Sequence, residues 1–177
     1  YSDFFAAYVQ NKLGLQQGDR IAIQMPNCLQ YPIALIGALK AGCVVVNTNP
    51  LYTHREMEHQ FTDADVKAVV IVANFAHSLE VALQKIHINP IIITELGDML
   101  GGVKVSLVNF VVKHIKKMVP KYSIKDITRF KTVLKDGARM KYTKPRVKSS
   151  DTAFLQYTGG TTGVSKGATL SHANVVA

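Results

Sequence analysis

Eleven residues near the end of the chain carry the densest chemistry in it: Tyr157-Thr158-Gly159-Gly160-Thr161-Thr162-Gly163-Val164-Ser165-Lys166-Gly167. Glycines let a backbone bend so that several amide N–H groups aim at one anion. Threonine hydroxyls add neutral donors, and one lysine adds a mobile positive charge. Together these suit a polyphosphate. The spacing is not that of a Walker loop, which needs Gly, four residues, then Gly-Lys-Ser/Thr. Counting from Gly159 places Val164 at the second glycine, and counting from Gly160 places Ser165 there. The dinucleotide fingerprint fails as well, because its third position, counted from Gly159, is Thr161. A glycine-rich turn without a ligand is the bland alternative, and spacing alone leaves it open. Three threonines and a lysine among four glycines argue against it.

Other reactive side chains form weaker patterns. His54 and His59 are five apart and flank Glu56 and Glu58. A zinc-protease helix needs its histidines four apart, so no metal site is read there, and both are assigned to the surface or packing of a helix. His172 follows Ser171 at a helix start and reads as structural. No Ser-His-Asp set can be assembled. Cys28 and Cys43 sit among apolar residues with no metal spacing. They read as reduced core thiols, which suits a cytoplasmic protein.

The elements that would hold the loop come from the first half of the chain. A helix carrying Phe5, Tyr8, Val9 and Leu13, capped by Ser2, ends at Gly14. Residues 20–25 read as a short apolar strand. Asn27 can cap a helix bearing Leu29, Ile33, Ile36 and Leu39, stopped by Gly42. Residues 43–46 are a β-branched strand. Thr53-His54-Arg55-Glu56 has capping-box form, so a helix follows. Strands at 68–72 and 91–94 frame a helix at 75–86. Residues 152–157 read as a buried strand ahead of the loop, and Ser171 as the cap of the next helix. Nearly continuous apolar strands alternating with helices argue for an α/β fold: a layered parallel sheet with flanking helices. The 177 residues, 47% hydrophobic and 19% charged, are enough for a real core. No stretch reaches the roughly 18 apolar residues of a membrane span.

The alternation breaks over 97–146, where no strand is expected. Val108, Val111, Val112, Ile115, Met118 and Val119 form a helical stripe ended by Pro120, with Lys113, Lys116, Lys117 and Lys121 close by. Such a basic amphipathic helix can lie on an anionic membrane or pack on its own domain. Residues 126–135 read as one more helix and 141–148 as a polar link. Charge is uneven: residues 1–100 hold six basic and nine acidic side chains, residues 101–177 fifteen basic and three acidic. The basic half points to an anionic partner or to a solvated face. Nucleic acid is not expected, since aromatics are not interleaved with the lysines and no reader motif is present.

The loop sequence resembles the signature of the acyl-adenylate-forming (AMP-binding) superfamily, which includes acyl-CoA synthetases, firefly luciferase and peptide-synthetase adenylation domains. The usual pattern is Tyr-Thr-Ser-Gly-Thr-Thr-Gly-x-Pro-Lys-Gly. This chain departs at Gly159 and at Ser165, and the phosphate-facing groups remain. Gly18-Asp19-Arg20-Ile21-Ala22 with Met25-Pro26-Asn27, and Val46-Asn47-Thr48-Asn49-Pro50-Leu51-Tyr52-Thr53 with Glu56, His59 and Gln60, resemble the segments that open the family's large domain. Asn109-Phe110-Val111-Val112-Lys113 and Met118-Val119-Pro120-Lys121-Tyr122 resemble an insertion of the bacterial long-chain fatty acid–CoA ligases.

That resemblance implies a two-step ligase using ATP and Mg2+, with a long-chain fatty acid and coenzyme A as co-substrates. It implies that residues 157–167 bind the ATP phosphates. Thr158, Thr161 and Thr162 would be donors, Gly159, Gly160 and Gly163 would allow close approach, Lys166 would supply charge, and Thr158 would be a magnesium contact. It places residues 1–95 in the sheet, 96–150 in a basic helical insertion and linker, and 151–177 at the strand, loop and next helix of a partial N-terminal domain. The start at Tyr1 and the missing adenine, ribose, hinge and C-terminal segments are expected of a piece of a longer protein, inactive alone. Peripheral membrane association through Lys113, Lys116, Lys117 and Lys121 is expected at the cytoplasmic face of the inner membrane. A homodimer stays open, as do an adenylating ligase for another acid and a non-catalytic nucleotide- or membrane-binding product.

Overall fold

The computed structural model describes residues 1–158 and 165–177. The first strand, β1 (Arg20–Gln24), lies at the centre of a seven-stranded sheet with β2 (Val44–Asn47) on one side and β3 (Val66–Val72) on the other. Beyond β3 come β4 (Ile91–Thr94) and β5 (Ile127–Arg129); beyond β2 come β6 (Thr152–Thr158) and β7 (Lys166–Ser171). Every pair is parallel except β6–β7, which is antiparallel. The expected parallel sheet is present, with one antiparallel edge strand.

The strands' two-residue alternation divides the core. Ile21, Ile23, Val45, Val70 and Ile92 point to one face, where they meet α1 (Ser2–Tyr8), α2 (Gln30–Lys40) and α6 (Phe130–Gly137). Ala22, Val46, Val69, Ile71 and Ile93 point to the other, against α3 (His54–Asp63) and α4 (Ala76–Ala82). Both faces are therefore covered, which is why the strands are apolar on both sides. Phe5 of α1 and Phe130 of α6 lie with ring centroids 5.7 Å apart, joining two helices distant in sequence.

Local chemistry sets several boundaries. Gly14 and Gly42 adopt positive φ (68° and 87°), ending the helical turns before them as expected. The Thr53–Glu56 capping box forms: Glu56 N–H donates to Thr53 Oγ1, and Thr53 N–H donates to Glu56 Oε2 at 2.8 Å. Ser2 and Asn27 do not cap. Ser2 is already inside α1, and α2 starts three residues after Asn27. The helix expected over 75–86 is a 3-10 turn followed by the shorter α4.

Three expectations for the second half are corrected. The segment 126–135 is not one helix: Asp126 has φ 55°, Ile127 and Thr128 pair with Ile91 and Ile92, and α6 starts only at Phe130. The β-branched pair at 127–128 satisfies its backbone on the sheet edge instead. The basic stripe does not form one helix over 108–121. Helix α5 (Gly102–Phe110) runs into a π turn, Val111–Ile115, and Lys117 at φ 51° ends it. The wider turn rotates the stripe out of register, leaving Val108, Val111, Val112 and Val119 half-buried but Ile115 and Met118 exposed. Lastly, residues 166–171 form strand β7 ahead of the helix α7 (His172–Val176), which Ser171 caps as expected. The polar link at 141–148 is tied down: Gln10 Nε2 donates to Thr143 O at 2.8 Å, and Thr143 N–H donates back to Gln10 Oε1 at 3.1 Å.

Candidate functional site

Parallel strands bring their carboxyl ends to one edge of the sheet, and ligands of open α/β sheets bind there. On this edge Asn47 of β2 pairs in register with Gln156 of β6, and Gln24 ends β1 alongside. Side chains knit the edge together. Tyr31 Oη donates to Asn47 Oδ1 at 3.0 Å, and Asn47 Nδ2 donates to Gln156 Oε1 at 3.1 Å. A cavity of about 570 Å³ lies at the opposite edge, lined by Arg20, Asp151 and His172; a polar cavity of about 480 Å³ lies at the carboxyl edge, lined by Tyr31, Asn47, Thr48, Tyr52 and Gln156. The smaller one is lined by Gln156 and Tyr157 of β6, and a further cavity of about 570 Å³ is lined by His59 and Asp63 of α3.

The loop leaves β6 at Thr158 and returns as β7 at Lys166. These two residues are direct partners across the antiparallel pair, followed by Tyr157 with Gly167. Thr158 and Lys166 are both exposed. Among the described residues, strand β7 rather than a helix follows the loop. Gly159, Gly160, Thr161, Thr162, Gly163 and Val164 lie outside the described residues.

The residues flanking the loop have defined supports. Tyr157 is buried, and its hydroxyl donates to Asp63 of α3. Burial chiefly, and then that carboxylate, push the phenol well above its ordinary range, which favours the protonated, donating form. Gly167 lies against the same ring: a Cβ there would stand 2.9 Å from Tyr157 Cε2. The glycine is needed for that close approach. His59 of α3 makes a 3.0 Å contact from Nε2 to the Ser165 carbonyl oxygen. A carbonyl only accepts, so Nε2 carries a proton in this contact.

Sequence reasoning singled out Tyr157, Thr158, Ser165, Lys166 and Gly167, and the structure gathers them at one neck. It assigned His59 to packing and gave Asp63 no role. The signal for both was their four-residue spacing on one helix, which puts them on a single face. His172 opens α7, its backbone N–H donating to Asp151 O at 3.0 Å, and the residue lines the cavity at the opposite edge. Cys43 is buried, and burial, with Asp19's charge added, raises its thiol to about 12; Cys28 is half-buried and raised by burial. Both thiols are free. Among the described residues no three His, Cys, Asp or Glu side chains gather to hold a metal.

Lys113, Lys116, Lys117 and Lys121 are exposed. Beside them, Val103, Leu107 and Phe110 of α5 are 84%, 61% and 56% exposed, at steps of four and three that share one face. Among the described residues no helix is long and apolar enough to cross a membrane.

The chain is an open, mostly parallel α/β sheet with a Thr- and Gly-rich segment ending in a lysine between β6 and β7. The family described as AMP-binding enzyme matches residues 1–177, and the chain belongs to it. It is 60% identical over 171 residues to a long-chain-fatty-acid–CoA ligase of Yersinia pestis, covering 97% of this chain and 30% of that protein. It is 57% identical over 173 residues to a long-chain-fatty-acid–CoA ligase of Escherichia coli O157:H7, covering 98% of this chain and 31% of that one. The chain thus spans about 30% of the length of these curated relatives. It also superposes on an anthranilate CoA ligase in complex with anthranoyl-AMP, with a TM-score of 0.73 at 16% identity over 97% of this chain and 28% of that chain. At that identity the likeness is one of fold.

Proposed function

We propose that the protein is an ATP-dependent long-chain fatty acid–CoA ligase acting in the cytoplasm. The observation that carries this reading is the neck of the loop, with Thr158 opposite Lys166, in a chain whose 57–60% identical relatives bear that name. In the first step a fatty carboxylate oxygen attacks the α-phosphorus of ATP. The new acyl–phosphate bond forms as the α–β anhydride breaks, giving acyl-AMP and pyrophosphate. In the second step the thiol of coenzyme A attacks the acyl carbon, and AMP leaves with the bonding electrons.

The first step must bring one anion onto another. Fixed donors and cations lower that barrier by meeting the charge that grows on the leaving pyrophosphate. Lys166 supplies the positive charge. Thr158 supplies a hydroxyl at the opposite side of the neck. Thr161, Thr162 and Ser165 hydroxyls and the amides from Gly159, Gly160, Gly163 and Val164 complete the cradle. Tyr157 and Gly167 fix the strands beneath it. A magnesium ion brought with the nucleotide would find Thr158 Oγ1 as a neutral oxygen at the neck, and it would supply positive charge to offset that of the phosphates.

Purified protein from the full reading frame, given ATP, coenzyme A and a long-chain acid, forms acyl-CoA and AMP in equal amounts. Folded protein that yields neither with any fatty acid contradicts the reading.

The apolar face of α5 and the lysines of the segment that follows it support peripheral binding at the inner face of an anionic membrane, where such an acid partitions. Replacing Lys113, Lys116, Lys117 and Lys121 with Glu is expected to abolish sedimentation with phosphatidylglycerol vesicles. Unchanged sedimentation contradicts it.

A further inference from the structure

We infer that helix α3 is the clamp that sets the phosphate loop, with His59 and Asp63 as positioning residues for the nucleotide; this rests on the ligase reading above. Two contacts from one helix face reach both ends of the loop. Asp63 accepts from Tyr157, the β6 residue before Thr158, and His59 donates to the carbonyl of Ser165, the residue that precedes β7. The two anchors are four residues apart, one helical turn, so they rise together beneath the hairpin.

The helix is firm enough to act as a reference. Met57, Gln60 and Phe61 are buried, and the capping box fixes its first turn. Gln60 Nε2 donates to Asn47 O at 3.0 Å, tying α3 to the end of β2, and Lys85 Nζ, in the turn after α4, pairs with Glu58 at 3.0 Å. The two contacts hold Tyr157 and Ser165, the described residues on either side of the loop, to one helix, and so fix where the loop's ends stand. The contact with Ser165 uses the backbone carbonyl, so it does not depend on the residue type at 165.

The test uses the protein from its full reading frame. His59→Ala removes the donor, while His59→Gln places an amide Nε2–H near the same point. Losing one hydrogen bond raises the KM for Mg-ATP about tenfold in His59→Ala, with the fatty acid KM unchanged, and His59→Gln stays within about twofold of the parent. Without nucleotide, amide hydrogen exchange in peptides spanning 157–169 speeds up in His59→Ala and returns in His59→Gln. Unchanged exchange in His59→Ala, or Gln behaving as Ala in a folded protein, overturns the clamp. Faster exchange with an unchanged KM for Mg-ATP overturns its role in positioning nucleotide. A parent protein with no ATP–pyrophosphate exchange refutes the ligase reading instead, and the hydrogen-exchange arm still judges the clamp.

Discussion

Thr158 and Lys166 face each other across the last pair of the β6–β7 hairpin, so a hydroxyl and an ammonium stand at the two ends of one glycine-rich loop. The pairing gives the lysine a fixed base from which to reach an anion. Removing one such stabilising group costs on the order of a hundredfold in rate. Lys166→Ala is therefore expected to lower kcat/KM for adenylation by about that factor, and Lys166→Arg to lose less. Parent-like rates in Lys166→Ala would remove the lysine from the mechanism.

Gly167 is a packing position. Its bare Cα lets Tyr157 lie across β7, and an added Cβ would meet the ring at 2.9 Å. Gly167→Ala should displace the ring, weaken its bond to Asp63 and destabilise the fold by about 1–3 kcal/mol. Thermal unfolding checks the loss. An unchanged Tm would mean the hairpin yields without strain.

Gly137 closes the α1–α6 contact even more tightly. A Cβ there would sit 1.9 Å from the Phe4 carbonyl oxygen, a backbone atom that cannot swing aside. Gly137→Ala is expected to force the helices apart and cost about 3 kcal/mol or more. Urea titration should show a lower midpoint, and a midpoint equal to the parent's would contradict the packing.

Burial makes the protonated Cys43 the favoured form, up to about 12. Its contribution to stability is full below the free thiol's pKa of about 8.5 and is lost as pH rises from there toward that value. At pH 8, native protein should show no iodoacetamide label on the Cys43 peptide. Cys28, half-buried, should label more slowly than a free cysteine. Rapid labelling of Cys43 would place it at the surface.

Glu56 has the opposite sign. The Thr53 backbone N–H, and then the Thr53 hydroxyl, hold its carboxyl below the usual range. That contribution is present above about pH 4.3 and fades as pH falls through the lowered value. Thr53→Ala should cost about 1 kcal/mol at neutral pH. Circular dichroism melts across pH 3–7 should show the difference between Thr53→Ala and parent shrinking partly in acid, where the bond from the hydroxyl to the carboxylate is lost; equal stability of Thr53→Ala and parent at neutral pH would contradict the cap.

The fold was most legible where one physical signal dominated. The strands of the first half announce themselves by β-branched runs, and the α3 cap by its Thr-x-x-Glu spacing. The loop residues stand out in the sequence because their types, rather than their periodicity, suit chemistry. The rest was hidden for identifiable reasons. Ile127–Arg129 is too short to show alternation, and its strand character comes from pairing with β4. Lys166–Ser171 contains Gly167 and is mostly exposed, so nothing local marks it as a strand until it pairs with β6. The π turn at Val111–Ile115 breaks a helical stripe that looks continuous in one dimension. His59 and Asp63 resemble any polar helix face until the hairpin is laid on them.

The most direct test of the central claim is ATP–pyrophosphate exchange by the protein from its full reading frame, with fatty acids of graded length. The account predicts exchange that requires an acid, rises with chain length into the long-chain range, and falls about a hundredfold in Lys166→Ala. Folded protein that binds no ATP and exchanges no pyrophosphate with any acid would contradict it.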